Sequence, residues 1–341
     1  MKNFVLDGIM GLVVGDAAGV PVEFKGREYL KKNPVKDMIG YGTYNQPAGT
    51  WSDDSSLTIC LADSLCNGLD YKDIMNKFLS WMKQRDYTPY NDTFDIGNAT
   101  SRAIYNYDEG TEPLKCGGKS LHDNGNGSLM RILPMVFYQY ANMNHGITND
   151  MSGLLEPIHD ISKLTHAHNI SLIACGLYSL IVENLINDSS NVKNSVMSAL
   201  TNGFNYYGHI QKNVYDKDLN AYYRLRDIEV FASLHEDEIN SSGYVVDTLE
   251  AAIWCLLNTN SYAECILKAV NLGEDTDTVA AVAGGLAGVV YGYEEIPEEW
   301  IQKIARREWI ESICLKLQIN LNKNDRIFAN NKMDDEFNFA E

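Results

Sequence analysis

A run of small and apolar residues from position 280 to 288 constrains the fold of this 341-residue chain more than any other feature. It contains three glycines, at positions 284, 285 and 288. A glycine inside a helix costs about 1 kcal/mol relative to alanine, so three are tolerable only where neighbouring backbones approach closely. We therefore predict a central buried helix, whose N-terminal end carries Asp275, Asp277 and Thr278.

Apolar residues recur with a helical period almost everywhere else, and no alternating run is convincing as a strand. The chain shows no internal repeat and no linker rich in proline, glycine or serine. We expect an all-α fold, with one compact multi-helix domain over residues 1–320 and a polar, acidic tail over residues 321–341. The polar segment 208–242 predicts a long loop or short helices. The predicted helices cover residues 5–15, 55–66, 73–83, 96–107, 128–140, 154–164, 169–186, 195–206, 247–257, 262–272, 276–291 and 297–317.

The composition of the chain argues against several functional classes. Its formal net charge is −18 and its lysines and arginines are scattered, so nucleic-acid binding is not expected beyond a possible modified-base substrate. The N-terminus does not resemble a signal peptide, and we expect no stretch long enough to span a membrane. The seven cysteines form no CxxC pair, which is typical of reduced thiols in a cytoplasmic protein. The oligomeric state is left open, with a monomer favoured.

Two acidic clusters lie where helices are predicted to begin, one at Ser52–Ser55 and the other at Glu274–Thr278. Carboxylates this crowded repel one another unless cations lie between them. A helix N-terminus offsets only about 0.3–1 kcal/mol per exposed acid, which is too little for four or five of them. The all-oxygen set of Asp, Ser and Thr suits Mg²⁺ or Mn²⁺ rather than zinc. We therefore hypothesise a binuclear metal site where the two helix starts meet.

Ordinary helix capping is the alternative explanation for either cluster. Serine, threonine and aspartate are favoured N-cap residues, and Asp53 and Asp54 could also form a solvated turn. Both clusters, however, lead into helices too apolar to be exposed. Their combination favours the metal site.

Three further acids lie near predicted helix ends. Asp16 lies in an apolar stretch where it needs a partner, and Glu23 follows the end of the same predicted helix. Each of these two, judged alone, is more readily explained as a satisfied structural residue. Asp95 begins the block Asp95–Asn98 and adds another acid at a helix mouth.

The segment Gly125–Arg131 is a glycine-rich turn that leads into a predicted helix. Free backbone N–H groups in such a turn can bind a phosphate, although a plain capped turn is the simpler interpretation of this block alone. His166 and His168 do not share a helical face, so we expect hydrogen bonding to substrate rather than metal ligation, with buried structural histidines as the alternative. Tyr244 could stack on a base or simply pack.

Five sequence blocks together resemble the ADP-ribosylglycohydrolases, the family of dinitrogenase-reductase-activating glycohydrolase and the ADP-ribosyl-acceptor hydrolases. The resemblance runs from about residue 8 to residue 292. One block alone is weak, whereas five in the family's order are specific. The chain departs from the pattern at Ser52, where many members have threonine, but the hydroxyl is retained. The blocks are Gly15–Phe24, Trp51–Asp54, Asp95–Asn98, Asn126–Arg131 and Gly273–Thr278.

The resemblance implies an all-α fold with two Mg²⁺ or Mn²⁺ ions in a central cleft. Asp95 would lie close to the metals, Glu23 would approach them and gate the site, and the turn at 125–128 would hold the diphosphate. The implied metal ligands are Ser52, Asp53, Asp54, Asp275, Asp277 and Thr278. The implied contacts to ADP-ribose are Gly97, Asn98, Gly125, Asn126, Gly127, Ser128, Met130, His166 and Tyr244.

The implied reaction is hydrolysis of the bond between C1″ of ADP-ribose and a modified group. The metals would fix the ribose and orient a water, and Asp95 or a carboxylate of the Asp53/Asp54 pair would act as general base. The segment Gly19–Phe24 resembles the arginine-directed bacterial members, so an ADP-ribosylated protein arginine is the expected substrate. Serine-linked, base-linked and small-molecule ADP-ribose stay open as alternatives.

Two other classes of protein were weighed against this prediction. A two-metal phosphohydrolase or prenyl-diphosphate enzyme also uses aspartate-rich helix mouths, but it requires acids one turn apart, where this chain has Ser56 and Leu57. A catalytically inactive ADP-ribose-binding relative would lack ligand oxygens, whereas every implied ligand position here keeps one.

Overall fold

The computed structural model describes residues 3–144, 146–147 and 150–337, with side chains as far as residue 322. These residues contain no β-strand, and three isolated β-bridges are the only extended pairings among them. The expected all-α class and single compact domain are therefore confirmed. The α-helices are α1 (Phe4–Gly19), α2 (Arg27–Lys32), α3 (Asp53–Leu65), α4 (Tyr71–Gln84), α5 (Asn98–Asp108), α6 (Leu133–Asn144), α7 (Met151–Lys163), α8 (Asn169–Asn187), α9 (Val192–Asn205), α10 (Lys212–Leu219), α11 (Ile228–Ala232), α12 (Val245–Leu257), α13 (Tyr262–Asn271), α14 (Thr276–Tyr291), α15 (Glu298–Lys303) and α16 (Arg307–Phe337).

Helices α1 and α14 form the centre of the fold, with their backbones in direct contact. A β-carbon built on Gly15 of α1 would lie 2.1 Å from the carbonyl oxygen of Ala280. A β-carbon on Gly284 of α14 would lie 2.3 Å from the carbonyl oxygen of Gly11. Every α14 residue from Thr276 to Val289 is buried. Glycine is thus required where the two helices touch, and the predicted central helix is confirmed.

Within the described part of the chain, two helices are long and apolar enough to span a membrane, so the expectation that no stretch would reach that length is wrong. The first is Phe4–Val22, with a mean hydropathy of 1.6, and the second is Asn169–Asn187, with a mean hydropathy of 1.5. In the folded protein 94% of the first segment and 78% of the second are buried. The apolar surface that gives the signal is therefore core surface, packed against other helices.

Some helix boundaries differ from those that the periodicity predicts. The helix predicted over 96–107 begins at Asn98, and the helix predicted over 128–140 begins at Leu133, because residues 126–128 form a 3-10 turn. The segment 208–242 consists of short helices, including α10 and α11, as one of the two predictions for it stated. The predicted boundary between residues 320 and 321 lies within α16. The side chains of the predicted acidic tail beyond residue 322 lie outside the described residues.

The C-terminal end of α1 is hydrogen-bonded to the N-terminal end of α14. The hydroxyl of Thr276 donates to the carbonyl of Gly19 at 2.8 Å. A short turn after Gly19 then delivers Glu23. The next residue is tied to the loop before α14, because the N–H of Phe24 donates to the carbonyl of Glu274 at 2.7 Å. Acids from the two ends of the chain are thereby brought to one place.

Candidate active site

A cleft of about 440 Å³ opens beside the N-terminal ends of α3, α5 and α14. It collects predicted site residues that are far apart in the sequence. Ser52, Asp54 and Asp277 are buried in contact with this lining. The predicted residues that line the cleft are Glu23, Asp53, Asp95, Gly97, Asn98, Gly125, Asn126, Gly127, Met130, His166, Asp275 and Thr278.

The start of α3 is fixed by a carboxylate of α1. Asp16 is fully buried and accepts the N–H groups of Ser52 and Ser55 at 3.0 Å, together with the Ser55 hydroxyl at 2.5 Å. Ser52 is the N-cap of α3, since its hydroxyl accepts the Asp54 N–H at 3.3 Å. Capping and a crowded acidic site are therefore not exclusive alternatives, because the cap places Asp53 and Asp54 in the first turn of α3.

Carboxylates from several chain segments converge on Asp277. One oxygen from each of Asp16, Asp54 and Asp277 lies within 4.8 Å of the other two. One oxygen from each of Glu23, Asp95 and Asp277 forms a second such triad. The two acidic clusters of the sequence thus meet, and Asp277 is common to both triads.

Burial raises the pKa values of these carboxyl groups. It is the main cause for Asp16, whose pKa rises to about 6. Burial and, next, the charge of Asp95 raise the pKa of Glu23 to about 8. The pKa values of Asp54 and Asp277 lie well above the usual aspartate range, again chiefly through burial. Such a cluster is unfavourable as a set of bare anions.

Three oxygens of this cluster are buried and accept no hydrogen bond from any described residue. They are Oε2 of Glu23, Oδ1 of Asp54 and Oδ2 of Asp277. A buried polar atom without a partner costs about 1–3 kcal/mol, and a charged one costs more. Divalent cations such as Mg²⁺ or Mn²⁺ are the partners that such an all-oxygen set prefers. The residues present therefore fit the predicted metal centre.

Asp95 reaches the cluster from the loop before α5. Its Oδ1 accepts the hydroxyl of Tyr44 at 2.8 Å, and its backbone has a φ of 57°. Phe24 and its hydrogen-bonded partner Glu274 also have left-handed backbones, with φ of 62° and 63°. This conformation is uncommon for residues other than glycine and gathers at functional sites. The left-handed backbone at Asp95, and at Phe24 and Glu274 beside the other acids, is therefore a conformation that these residue types do not favour.

The glycine turn forms another part of the cleft and is linked to the acids. The side-chain amide of Asn126 donates to Oδ2 of Asp275 at 2.7 Å and to the Thr248 hydroxyl at 2.9 Å. Gly125, which is half-buried, and Gly127, which is buried, lie beside it in the lining. The two glycines can contact a ligand through their backbone, whereas the Asn126 amide is already hydrogen-bonded to Asp275 and Thr248.

Two of the predicted ADP-ribose contacts do not line the cleft. Ser128 is fully buried, and its hydroxyl accepts that of Ser162 at 2.9 Å, so it faces the core. Tyr244 is 37% exposed and its backbone forms an antiparallel bridge with Gly125, but its side chain is not part of the lining. The glycine turn therefore contributes to the cleft through residues 125–127.

Sequence analysis missed several residues that the fold brings to the cleft. Asp16 was noted only as an acid in need of a partner, which was the one available signal for its place beside Asp54. Tyr44 gave no signal, since it lies in an irregular segment with no motif. Five unassigned residues also line the cleft: Phe24, Ala99, Thr100, His122 and Gly243.

A cavity of similar size, about 430 Å³, lies beside α9. Its lining includes Met197, Phe204, Leu225 and Arg226, and none of its lining residues carries a carboxylate. It therefore lacks the dense set of titratable groups that distinguishes the first cleft.

Comparison with known proteins identifies the class to which this fold and site belong. A family model described as ADP-ribosylglycohydrolase matches residues 2–326. The chain is 32% identical over 316 residues to "ADP-ribosylarginine hydrolase Tri1" of Serratia proteamaculans, covering 91% of this chain and 77% of that protein. It is 30% identical over 305 residues to "ADP-ribosyl-[dinitrogen reductase] glycohydrolase" of Rhodospirillum rubrum, covering 88% of this chain and 89% of that protein.

A solved structure agrees with these sequence matches. The chain superposes on an "ADP-ribosylglycohydrolase-related protein complex" with a TM-score of 0.74 and 30% identity, over 94% of this chain and 98% of the other. The protein is a member of the ADP-ribosylglycohydrolase family, and the predicted family resemblance is confirmed. The enzymes of this family hydrolyse glycosidic bonds.

Proposed function

We propose that the protein is a divalent-metal-dependent hydrolase that removes ADP-ribose from arginine side chains of ADP-ribosylated proteins. The bond broken joins C1″ of the ribose to a guanidinium nitrogen. Water supplies the hydroxyl that C1″ gains, and the released nitrogen gains a proton. The observation that carries this proposal is the pair of carboxylate triads that share Asp277 beside the cleft.

The volume and charge of the cleft support a small, positively charged acceptor group joined to a nucleotide. Its volume of about 440 Å³ lies in the range of about 300–1,000 Å³ that is typical of ligand sites. A field of one sign in a concave site attracts groups of the opposite charge, such as a guanidinium. No lysine or arginine lines the cleft, and its carboxylates are those of Glu23, Asp53, Asp95 and Asp275.

The two triads supply some of the residues that would hold two Mg²⁺ or Mn²⁺ ions. Asp16 already accepts three hydrogen bonds from the start of α3, so we assign it to positioning rather than to ligation. Asp54, Asp277 and Glu23 each keep a buried oxygen without a hydrogen bond, which supports ligation by these three. When bound, such ions supply positive charge that holds and polarises the ribose hydroxyls. The other proposed ligands, adjacent to these acids, are Ser52, Asp53, Asp275 and Thr278.

Asp95 is the proposed general base. It lines the cleft, and the Tyr44 hydroxyl orients it by donating to Oδ1, which leaves Oδ2 for a water proton. Asp53 also lines the cleft and is the second candidate, whereas Asp54 lies behind the lining. Of the Asp53/Asp54 pair, we therefore propose Asp53 as the alternative general base. Glu23, at the junction with exposed Phe24, is the residue proposed to gate the acidic part of the cleft.

The preference for arginine has support from sequence and from charge. The Serratia relative, at 32% identity, carries arginine in its name. Asp95 is the one carboxylate of the lining that is not a proposed metal ligand, and its charge would favour a guanidinium over a neutral serine oxygen as the acceptor. An ADP-ribosylated protein is thus the proposed partner, and free ADP-ribose the proposed product.

We also propose a cytoplasmic location. All seven cysteines are buried and free in the structure. Unpaired thiols in this number are typical of proteins from reducing compartments, which supports the proposal. Fractionation of cells that express the tagged protein tests it, and recovery in a secreted fraction would contradict it.

The acceptor is tested by measuring free ADP-ribose released from matched protein substrates. One substrate carries ADP-ribose on arginine and the other carries it on serine, each incubated with Mg²⁺, with Mn²⁺ and with EDTA. We expect metal-dependent release from arginine at a rate at least about tenfold above that from serine, a difference of about 1.4 kcal/mol in barrier. Faster release from serine would replace the arginine assignment, and no release from either would refute the proposed reaction.

A further inference from the structure

Arg131 is a fully buried guanidinium that forms no ion pair with a carboxylate of the described residues. One of its terminal nitrogens, Nη1, donates to the carbonyl of Gly127 in the glycine turn. The other, Nη2, donates to the hydroxyl of Thr165 at 2.7 Å and to the carbonyl of Ile161 at 3.3 Å. Its face lies over the ring of Phe78, at 5.2 Å from the centroid. A buried cation is costly unless it is paired and hydrogen-bonded. Here the terminal nitrogens Nη1 and Nη2 are hydrogen-bonded, whereas Nε has no partner among the described residues.

The hydroxyl of Thr165 connects Arg131 to a residue of the cleft. It lies 2.7 Å from Nδ1 of His166 and is itself fully buried. A guanidinium can only donate, so the hydroxyl oxygen accepts from Arg131. The hydroxyl proton has Nδ1 of His166 as its sole recorded acceptor among the described residues, and a buried hydroxyl keeps its proton hydrogen-bonded. Nδ1 of His166 is therefore an acceptor and carries no proton.

The ring of His166 is fixed with its other nitrogen towards the glycine turn. The backbone on either side is held, since the N–H of His166 donates to the Ser162 carbonyl at 2.8 Å and that of Ala167 to the Gly118 carbonyl at 2.8 Å. A β-carbon built on Gly127 would lie 2.9 Å from Cε1 of His166, and one built on Gly125 would lie 3.6 Å from Nε2. Nε2 has no recorded hydrogen bond within the described structure, and His166 lines the cleft.

We propose that Arg131 is a positioning residue that, through Thr165, fixes His166 as the neutral tautomer protonated on Nε2. His166 then presents a permanent N–H donor to an oxygen of the ligand, beside the glycine turn whose carbonyl the same guanidinium holds. Arg131 thus sets two neighbouring features of the cleft without touching the ligand. The identity of that ligand as ADP-ribose rests on the proposed function, whereas the tautomer does not.

The charges around His166 keep the ring neutral. Burial and, next, Arg131 lower the pKa of His166 to about 3. Two further charged groups face it: Asp123 opposes this shift, and Arg102, which forms an ion pair with Asp123, reinforces it. His166 is accordingly a hydrogen-bond donor throughout the neutral range and neither a general acid nor a general base. Its contribution to ligand binding should not vary with pH where an ordinary histidine would titrate.

The tautomer is tested by NMR of the imidazole nitrogens in ¹⁵N-histidine-labelled protein without any ligand. The His166 signals are assigned by their loss in His166→Gln. We expect Nε2 to be protonated and Nδ1 unprotonated, with no change between pH 5.5 and 8.5. A proton on Nδ1, or a histidine signal assigned to His166 that titrates within this range, would overturn the proposal.

Two matched variants then test the connection through Thr165. Thr165→Val removes the hydroxyl at nearly constant shape, and Thr165→Ser keeps it. We expect Thr165→Val to shift His166 towards the other tautomer and to weaken ADP-ribose binding about tenfold, as one misplaced hydrogen bond does. Thr165→Ser should stay within about threefold of the parent protein. If Thr165→Val does not fold, the NMR signals of the unsubstituted protein still decide the tautomer.

Failure of this inference and failure of the proposed function give different results. An Nε2-protonated His166 in a protein that binds no ADP-ribose would uphold the tautomer and refute the function. Alternatively, the parent protein and Thr165→Val could bind ADP-ribose equally and have the same tautomer. That result would refute the connection from Arg131 through Thr165 to His166 and leave the proposed function unaffected.

Discussion

The two parts of the cleft differ in how far the protein itself satisfies their polar groups. In the acidic part, Glu23, Asp54 and Asp277 each leave a buried oxygen without a hydrogen bond. In the glycine-turn part, the Gly127 carbonyl and His166 are held through Arg131 and Thr165. The acidic part is the proposed metal site, whereas the glycine-turn part is held by hydrogen bonds within the chain, with Nε of Arg131 its one buried side-chain atom without a partner among the described residues.

The ionised carboxylates of the acidic part should destabilise the metal-free protein. Raised carboxyl pKa values mean that the folded protein binds protons more tightly than the unfolded chain does. The glycine-turn part contains no carboxyl group with a raised pKa, and its electrostatic cost is the buried Arg131 guanidinium, whose Nε has no hydrogen-bond partner among the described residues. We therefore expect metal to affect the acidic part strongly, and substitutions in the glycine turn to act on ligand binding without affecting metal.

Asp277→Asn should have the largest effect, because Asp277 belongs to both triads. We expect the rate of ADP-ribose release to fall by about 10³-fold or more, since a metal centre contributes several kcal/mol to transition-state stabilisation. Single-turnover release with saturating enzyme measures it. Asp108→Asn, at an exposed residue paired with Lys83, is the matched control and should leave the rate unchanged. Equal rates for both variants would contradict the assignment of Asp277 to the proposed metal centre.

Gly127→Ala should weaken ADP-ribose binding by about tenfold or more while leaving metal binding intact. Its β-carbon would lie 2.9 Å from both Cε1 of His166 and Oγ1 of Thr100, so either the turn or these two side chains must shift. Gly26→Ala is the matched control outside the cleft, since no atom lies within 4 Å of its β-carbon and its φ is −64°. Isothermal titration calorimetry measures both variants. A loss of metal affinity in Gly127→Ala would show that the two parts are not separable.

The metal-free protein should lose stability as the pH rises. The folded pKa of Asp16 is about 6 and that of Glu23 about 8, against unfolded values of 3.8 and 4.5. Between the unfolded and folded values the folded state binds more protons, so the free energy of unfolding falls as pH rises through this window. We expect Tm in EDTA to fall by about 3 °C or more from pH 5.5 to 8.5. Added Mg²⁺ or Mn²⁺ should remove most of the fall, and a flat profile in EDTA would contradict the account.

Glu23→Gln should have the smallest effect on stability, and its direction is diagnostic. Removing a buried carboxylate with an unpartnered oxygen should raise Tm of the metal-free protein at pH 8 by about 2 °C. The same variant should lose the benefit that metal gives the parent. A lower Tm in EDTA would mean that Glu23 makes a favourable contact in the metal-free state.

The sequence was sufficient for much of the fold because its signals were local or repetitive. The glycines at 284, 285 and 288 predicted a central helix, and the structure shows the backbone contact with α1 that requires them. Helix starts were harder to place. The glycine-rich turn was predicted, but the helix after it was predicted to begin at Ser128 and begins at Leu133, because apolar periodicity does not distinguish the end of a turn from the start of a helix.

The candidate site was predictable where several acids were adjacent in sequence, and not where single residues converge. The clusters around Asp53 and Asp277 were found from crowding alone. Tyr44 was missed because it orients Asp95 across 51 positions of sequence. Ser128 was predicted to contact the ligand as part of the turn, whereas in the structure its hydroxyl bonds to Ser162, since a sequence cannot show which way a turn residue faces. Local sequence patterns do not predict contacts between single side chains that are far apart in the chain.

The most direct test of the account is a Mn²⁺ titration of metal-stripped protein, with bound ions counted and ADP-ribose release from arginine-modified protein measured on the same samples. We predict two tightly bound ions per chain, release that appears as they bind, and loss of both properties in Asp277→Asn. Full release by the metal-stripped protein, or unchanged ion binding in Asp277→Asn, would contradict a metal centre built on the shared carboxylate.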